Sequence, residues 1–200
     1  MSKTKGGNFI AYFGGLFYNI FRISPNKMPP PTSFENIVRQ FSNRVYNHAF
    51  RVLGNREQAE EATQDVFLKI YRSLESFRGE STLSTWIWRI TANVCITQAK
   101  KSRLETSPLD SDEIDSISDD EPNPEQALLN NETKDEIANA ISRLPYREAT
   151  AINLFYLEEM DYGEIANILE IPAGSVATAL HRGRERLRKL LQTSYSRSSI

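Results

Sequence analysis

A single cysteine, Cys95, and two histidines, His48 and His181, are all the chain has of the two residue types most used to hold zinc. One thiol excludes an intramolecular disulfide and favours a cytoplasmic setting, and Cys95 reads as a small buried hydrophobe. With no second cysteine and no paired histidine spacing, neither a zinc site nor a hydrolytic triad is expected, and no cofactor or catalytic residue is assigned. Long apolar runs are also lacking: Phe9–Phe21 spans only 13 residues, where a bilayer needs about 20. The acidic cluster Asp110, Asp112, Glu113 and Asp115 lacks the glycine and the distal glutamate of a calcium loop.

Charge is present in blocks that the overall value of −2 conceals. Residues 1–33 carry +4, 34–103 carry +4, 104–136 carry −11 and 137–200 carry +1. An acidic total therefore does not argue against a nucleic-acid partner, because most of the excess acid sits in one segment.

Helical periodicity dominates on both sides of that segment. Phe34, Ile37, Val38, Phe41, Val45, Ala49 and Val52 recur at three and four, with Ser33 placed to cap them and Gly54 to end them. Asn55 and Gln58 resemble a capping box opening a second helix with the stripe Ala59, Ala62, Val66, Ile70 and Leu74, up to Phe77. Its opposite face is acidic and polar: Glu57, Glu60, Glu61, Gln64, Asp65 and Lys69. A third helix, about 84–101, places Trp86, Ile90 and Val94 on one stripe and Arg89, Asn93 and Lys100 on another, since eleven residues make close to three turns. Residues 104–136 lose periodicity and gain prolines, as a solvated linker does. Beyond it come Ile137, Ile141 and Leu144, a helix after Pro145, and a second capping box, Asp161 to Glu164. After the turn at 170–174, Ser175 is positioned to cap a helix with the seam Val176, Leu180, Gly183, Leu187 and Leu190, rich in arginine toward its end. Two helices so joined form a helix-turn-helix.

The stretch between helices two and three suits opened DNA. Phe77-Arg78-Gly79-Glu80-Ser81-Thr82 runs into a helix bearing Trp86, Trp88, Arg89 and Asn93. Aromatic faces stack on unpaired bases, and a glycine allows close approach to a flipped base.

In this order the pieces resemble the extracytoplasmic-function group of sigma-70 factors, the bacterial subunits that direct RNA polymerase to promoters. The resemblance covers about 34–192 and rests on three segments. Gln58 to Tyr71 is similar to the core-binding segment. Phe77-Arg-Gly-Glu-Ser with Thr85 to Asn93 is similar to the −10 loop and helix. Leu144-Pro145, Gly163-Glu-Ile-Ala166 and Leu180-His-Arg182 are similar to the −35 domain. It implies an all-α fold of two small helical domains: 34–103, sigma region 2-like, and 137–192, sigma region 4-like. The acidic linker 104–136 joins them, with an extension at 1–33 and a tail at 193–200. It also implies a non-enzymatic role with two partners, promoter DNA and the polymerase core, contacted through its clamp coiled coil and its flap. An anti-sigma factor is a candidate third partner. Glu61, Gln64, Asp65 and an exposed Phe67 would dock the core. Arg78, Gly79, Glu80, Ser81, Thr82, Trp88, Arg89, Asn93 and Lys100 would read and melt the −10 region, with Trp86 structural and Trp88 meeting DNA or a partner. Ser175, Thr178, His181, Arg182 and Arg184 would read the −35 region, and the linker would thread the polymerase's nucleic-acid channel.

The chain departs from the family pattern at Ala177 and Ala179, where a lysine and an arginine are usual, and at Glu170, where a helix-ending glycine is common. A left-handed Glu170 would cost about 1 kcal/mol, and Gly183 inside a helix about the same unless close packing requires it. In the extension, Phe9, Phe13, Leu16, Phe17, Ile20 and Ile23 form an apolar stripe beside basic residues. Contact of residues 9–23 with a membrane surface or an inhibitor fits this pattern, and so does a translation start at Met28. Two rival readings are a helix-turn-helix regulator acting alone, with 34–103 as a dimerisation module, and a polymerase-binding decoy. A duplex-only binder has no need of the Phe77–Asn93 loop and helix.

Overall fold

A computed structural model describes residues 33–106 and 130–197, with side chains described over 33–101 and 136–192. The expectations for residues 1–32, for 107–129 of the linker and for the end of the tail lie outside the described residues. Within them all regular structure is helical: α1 (Phe34–Leu53), α2 (Arg56–Ser73), α3 (Leu83–Thr106), α4 (Asn130–Ser142), α5 (Tyr146–Tyr156), α6 (Tyr162–Leu169) and α7 (Ala173–Arg197).

The caps form where side-chain oxygens precede apolar stripes. Ser33 Oγ accepts the Asn36 N–H at 3.3 Å and Asn55 Oδ1 accepts the Gln58 N–H at 2.9 Å, satisfying donors that a helix start leaves open. Gly54 ends α1 with φ 70°, and its N–H bonds the Phe50 carbonyl at 2.8 Å. α2 ends at Ser73, and Leu74–Ser76 continue as a 3-10 turn short of Phe77. Thr82 Oγ1 accepts the Thr85 N–H at 3.1 Å, so α3 begins one residue earlier than its periodicity predicts. α4 begins at Asn130, inside the segment read as linker.

The α1 stripe buries Ile37, Phe41, Val45, Ala49 and Val52, each large side chain contributing about 1.5–3 kcal/mol on leaving water. α1 packs on α2 and α3, and α5 on α6 and α7, as two helical domains would. The two sets also meet. α1 touches α4 and α5, α3 touches α6, and the buried side chains form one continuous cluster across both halves.

Candidate polymerase and DNA interfaces

The acidic face of α2 forms as its spacing dictates. Glu61, Gln64 and Asp65 are exposed while Ala59, Ala62, Thr63, Val66 and Ile70 face inward. Glu61 is held from the next helix, where Gln98 Nε2 donates to Glu61 Oε2 at 2.6 Å. Phe67 departs from expectation: it is 0% exposed and meets Phe34 edge-on at 6.5 Å. It sits one position from Val66 and three from Ile70, so the buried stripe is wider than the four-residue spacing suggested. The exposed aromatic of α2 is Tyr71, at 50%.

The loop before α3 is open. Arg78, Gly79, Glu80 and Thr82 are exposed and Ser81 half-buried. Gly79 has φ +72° with nothing within 4 Å of where a Cβ would stand, so it serves the backbone turn and leaves free space beside it. Arg89 and Asn93 are exposed on α3 beyond the loop. Lys100 is exposed too, but its Nζ lies 6.0 Å from the ring centroid of Tyr146 on α5, so it is drawn toward the other half.

Of the two tryptophans, Trp86 packs as a structural residue and Trp88 departs from expectation. Trp88 is 0% exposed, 5.2 Å from the His48 ring and beneath the Arg44 guanidinium at 5.7 Å. Trp86 is half-buried and packs on Phe77 at 5.1 Å, at the base of the loop. The inward side of α3 holds Ile87, Trp88, Thr91, Ala92, Val94 and Cys95, with Val94 buried as its spacing predicts. Small residues at three, four and seven from Trp88 carried that signal, outweighed by the larger Trp86 and Ile90, which are only half-buried. Burial drives the Cys95 thiol up to about 12, and burial, helped by Arg51, drives the His48 imidazole down to about 3.

In the helix-turn-helix, Asp161 and Glu164 complete a reciprocal capping box at 2.8 and 3.1 Å. Glu170 keeps the left-handed conformation, φ 55° and ψ 45°. α7 starts at Ala173, with the Ser175 N–H donating to the Pro172 carbonyl at 2.8 Å, so Ser175 lies within the first turn and is not the cap. Ser175, Thr178, His181, Arg182 and Arg184 are all exposed. At about 100° per residue, Ser175, Thr178 and Arg182 share one face with His181 at its edge. Arg184 falls nearly opposite and reaches the Tyr156 hydroxyl at 3.5 Å. Gly183 allows the close packing that its helix penalty implied: a Cβ there would stand 3.0 Å from Ile152 Cγ1. Arg186 pairs with Glu148 at 3.3 Å, though burial still raises the Glu148 carboxyl above its ordinary range. Among the described residues no group of histidine, cysteine and carboxylate side chains could hold a metal, and no helix is long and apolar enough to cross a membrane.

Residues 37–105 match the family described as Sigma-70 region 2, and residues 134–187 match Sigma-70, region 4. The chain is 34% identical over 178 residues to the ECF RNA polymerase sigma factor SigW of Bacillus subtilis (strain 168), covering 86% of this chain and 95% of that one. The chain belongs to the extracytoplasmic-function sigma-70 family. This sigma factor is also 33% identical to SigE of Mycolicibacterium smegmatis, over 80% of its length and 62% of that protein's. Its fold is that of the sigma factor RpoE in complex with the anti-sigma factor NepR from Bartonella quintana, with a TM-score of 0.62 at 23% identity. That likeness covers 80% of this sigma factor and 96% of that chain. The protein is thus an RNA polymerase sigma factor that directs transcription initiation, with core polymerase and promoter DNA as its partners.

Proposed function

We propose that this sigma factor divides promoter recognition among three surfaces held by its two helical sets. Glu61, Gln64 and Asp65 dock the polymerase core, presenting carboxylates to a basic partner. Arg78, Gly79, Glu80, Ser81 and Thr82 receive a base flipped from the −10 element, with Arg89 and Asn93 on the adjoining strand. Ser175, Thr178 and Arg182 read the −35 element, with His181 at the edge of the same face and Arg184 contacting backbone from the flank. The observation carrying this reading is the open space beside Gly79, at the mouth of a loop whose polar side chains are exposed. A pocket for a base requires backbone that can be approached closely.

Phe67 and Trp88 support these surfaces from beneath. The protein catalyses no reaction of its own, and its place is the cytoplasm, with polymerase and DNA. An anti-sigma factor is a proposed third partner, because the solved sigma factor RpoE with this fold is bound to one. Genome-wide transcription in vitro with sigma-free core tests the reading. The protein should produce discrete start sites with two shared upstream motifs, and exchanging residues 79–82 should change the −10 motif alone. Unchanged −10 preference after that exchange would overturn the loop assignment.

A further inference from the structure

The first turns of α7 meet solvent without charge. From Ala173 to His181 the helix carries no aspartate, glutamate, lysine or arginine, and its cations follow at Arg182, Arg184, Arg186, Arg188 and Lys189. Three of these are engaged within the protein. Arg184 reaches the Tyr156 hydroxyl at 3.5 Å, Arg186 pairs with Glu148 at 3.3 Å and Arg188 with Glu185 at 3.1 Å. Apart from Arg182, the leading end of the helix therefore meets DNA through small uncharged groups.

Thr178 is the outermost of these. Val176 and Leu180 are fully buried, and at about 100° per residue Thr178 stands about 160° from each, turned most directly away from the support of α7. Its hydroxyl proton is turned back on the helix: Oγ1 donates to the Gly174 carbonyl at 3.2 Å. That bond selects between the two rotamers open to a helical threonine, and it leaves the Cγ2 methyl as the group presented outward. Helical side chains lean over the preceding turn, and there Gly174 has nothing within 4 Å of where a Cβ would stand. No taller neighbour covers the methyl on that side. Ala177, also exposed, adds a second methyl on the adjoining flank.

In the major groove the distinguishing apolar group is the C5-methyl of thymine, while the other bases are told apart by donors and acceptors. A lysine or arginine reaches a base edge from a distance. A methyl makes contact only when the helix backbone comes close, and the small residues at 174 and 177 permit that approach.

We propose that Thr178, flanked by Ala177, is the specificity-determining residue of the −35 contact and selects thymine through its C5-methyl. The proposal rests on the assignment of α7 to the −35 element. Arg182 follows one turn further along the helix, at about 6 Å. It is placed for a guanine within about two base pairs of that thymine.

Transcription in vitro with core polymerase, from promoters found by start-site mapping, tests the contact on the unaltered protein first. Each −35 thymine in turn is replaced by deoxyuridine, which keeps the base-pairing groups and loses only the methyl. At one position transcription at limiting protein should fall about fourfold, the effect of withdrawing one methyl group from water. With Thr178→Ser, which keeps the hydroxyl and drops the methyl, that thymine preference should vanish. With Thr178→Val, which keeps a methyl and drops the hydroxyl, it should persist. Both substitutions are at an exposed site, and circular dichroism confirms that the variants fold. The methyl contact is overturned if the −35 motif holds no thymine, or if deoxyuridine costs less than about twofold at every position. It is equally overturned if Thr178→Ser keeps the preference or Thr178→Val abolishes it. Scrambling the whole −35 element without loss of transcription would overturn the assignment of α7 itself, whereas an element that matters yet ignores the methyl overturns the thymine contact alone.

Discussion

Replacing Trp88 separates a core role from a DNA role. The indole is fully buried between His48 and Arg44, and a tryptophan in that setting removes about 200 Å² from water, worth about 5 kcal/mol. Trp88→Ala gives up most of that burial and should cost about 3–5 kcal/mol, lowering Tm by about 10–15 °C in a chain of this size. Trp88→Phe loses less volume and also removes the unpaired Nε1–H. A stranded donor costs about 1–3 kcal/mol, so the smaller ring should leave stability within about 1 kcal/mol of the parent. Urea unfolding of the purified protein measures both values, and permanganate reactivity of unpaired thymines in the polymerase complex measures promoter opening. Trp88→Phe should fold and open promoters normally. A Trp88→Phe protein that folds as stably as the parent but loses promoter opening about tenfold or more would refute the burial argument and return Trp88 to the DNA.

Other consequences are equally accessible. His48 titrates near 3 when folded and near 6.5 when unfolded, so the unfolded chain takes up its proton first. Stability should therefore fall as pH drops from 6.5 toward 3, by at most about 1.4 kcal/mol per unit. Glu158 and Glu148, raised by burial, contribute oppositely, losing stability as pH rises above 4.5, and so blunt the part of this window just above 4.5. Denaturant titrations across pH should show His48→Leu flattening the acid limb. Gly183→Ala gains about 1 kcal/mol of helix propensity but crowds Ile152 at 3.0 Å; thermal melts should find it near neutral and Gly183→Leu strongly destabilised. Cys95, with its thiol pushed up to about 12, should resist alkylation at neutral pH until the protein unfolds, as mass spectrometry would show. Reversing the charges of Glu61 and Asp65 together should abolish co-purification with core polymerase without lowering Tm.

Where local physics decides the outcome, the sequence was a sufficient guide. The α1 stripe, the Ser33 cap, the Asp161–Glu164 box, the left-handed Glu170 and the tight approach at Gly183 all follow from residues within a turn or two of one another. Phe67 and Trp88 were misplaced because both lie beside a stripe that already looked complete, and only the packing of α1 against α2 and α3 shows that the buried arc is wider. Arg184 is expected in one −35 set with Arg182, although two positions along a helix place them on nearly opposite sides. The meeting of the two helical sets was not legible at all. Nothing near Arg44 or Glu158 in the chain announces a partner 114 residues away, and the linker between the two helical sets reads only as a charged tether.

The α5–α7 contact bears on how such proteins could be re-engineered. Gly183 against Ile152 and Arg186 on Glu148 fix α7 to its support through positions other than those on its outward face. Residues 175, 178, 181 and 182 can therefore be varied as an alphabet while the seam is left untouched. A whole-helix graft from a relative that lacks the glycine would carry a new specificity onto a seat that no longer accepts it. Libraries for orthogonal promoters should accordingly keep Gly183 and Arg186 constant and diversify only the four outward positions.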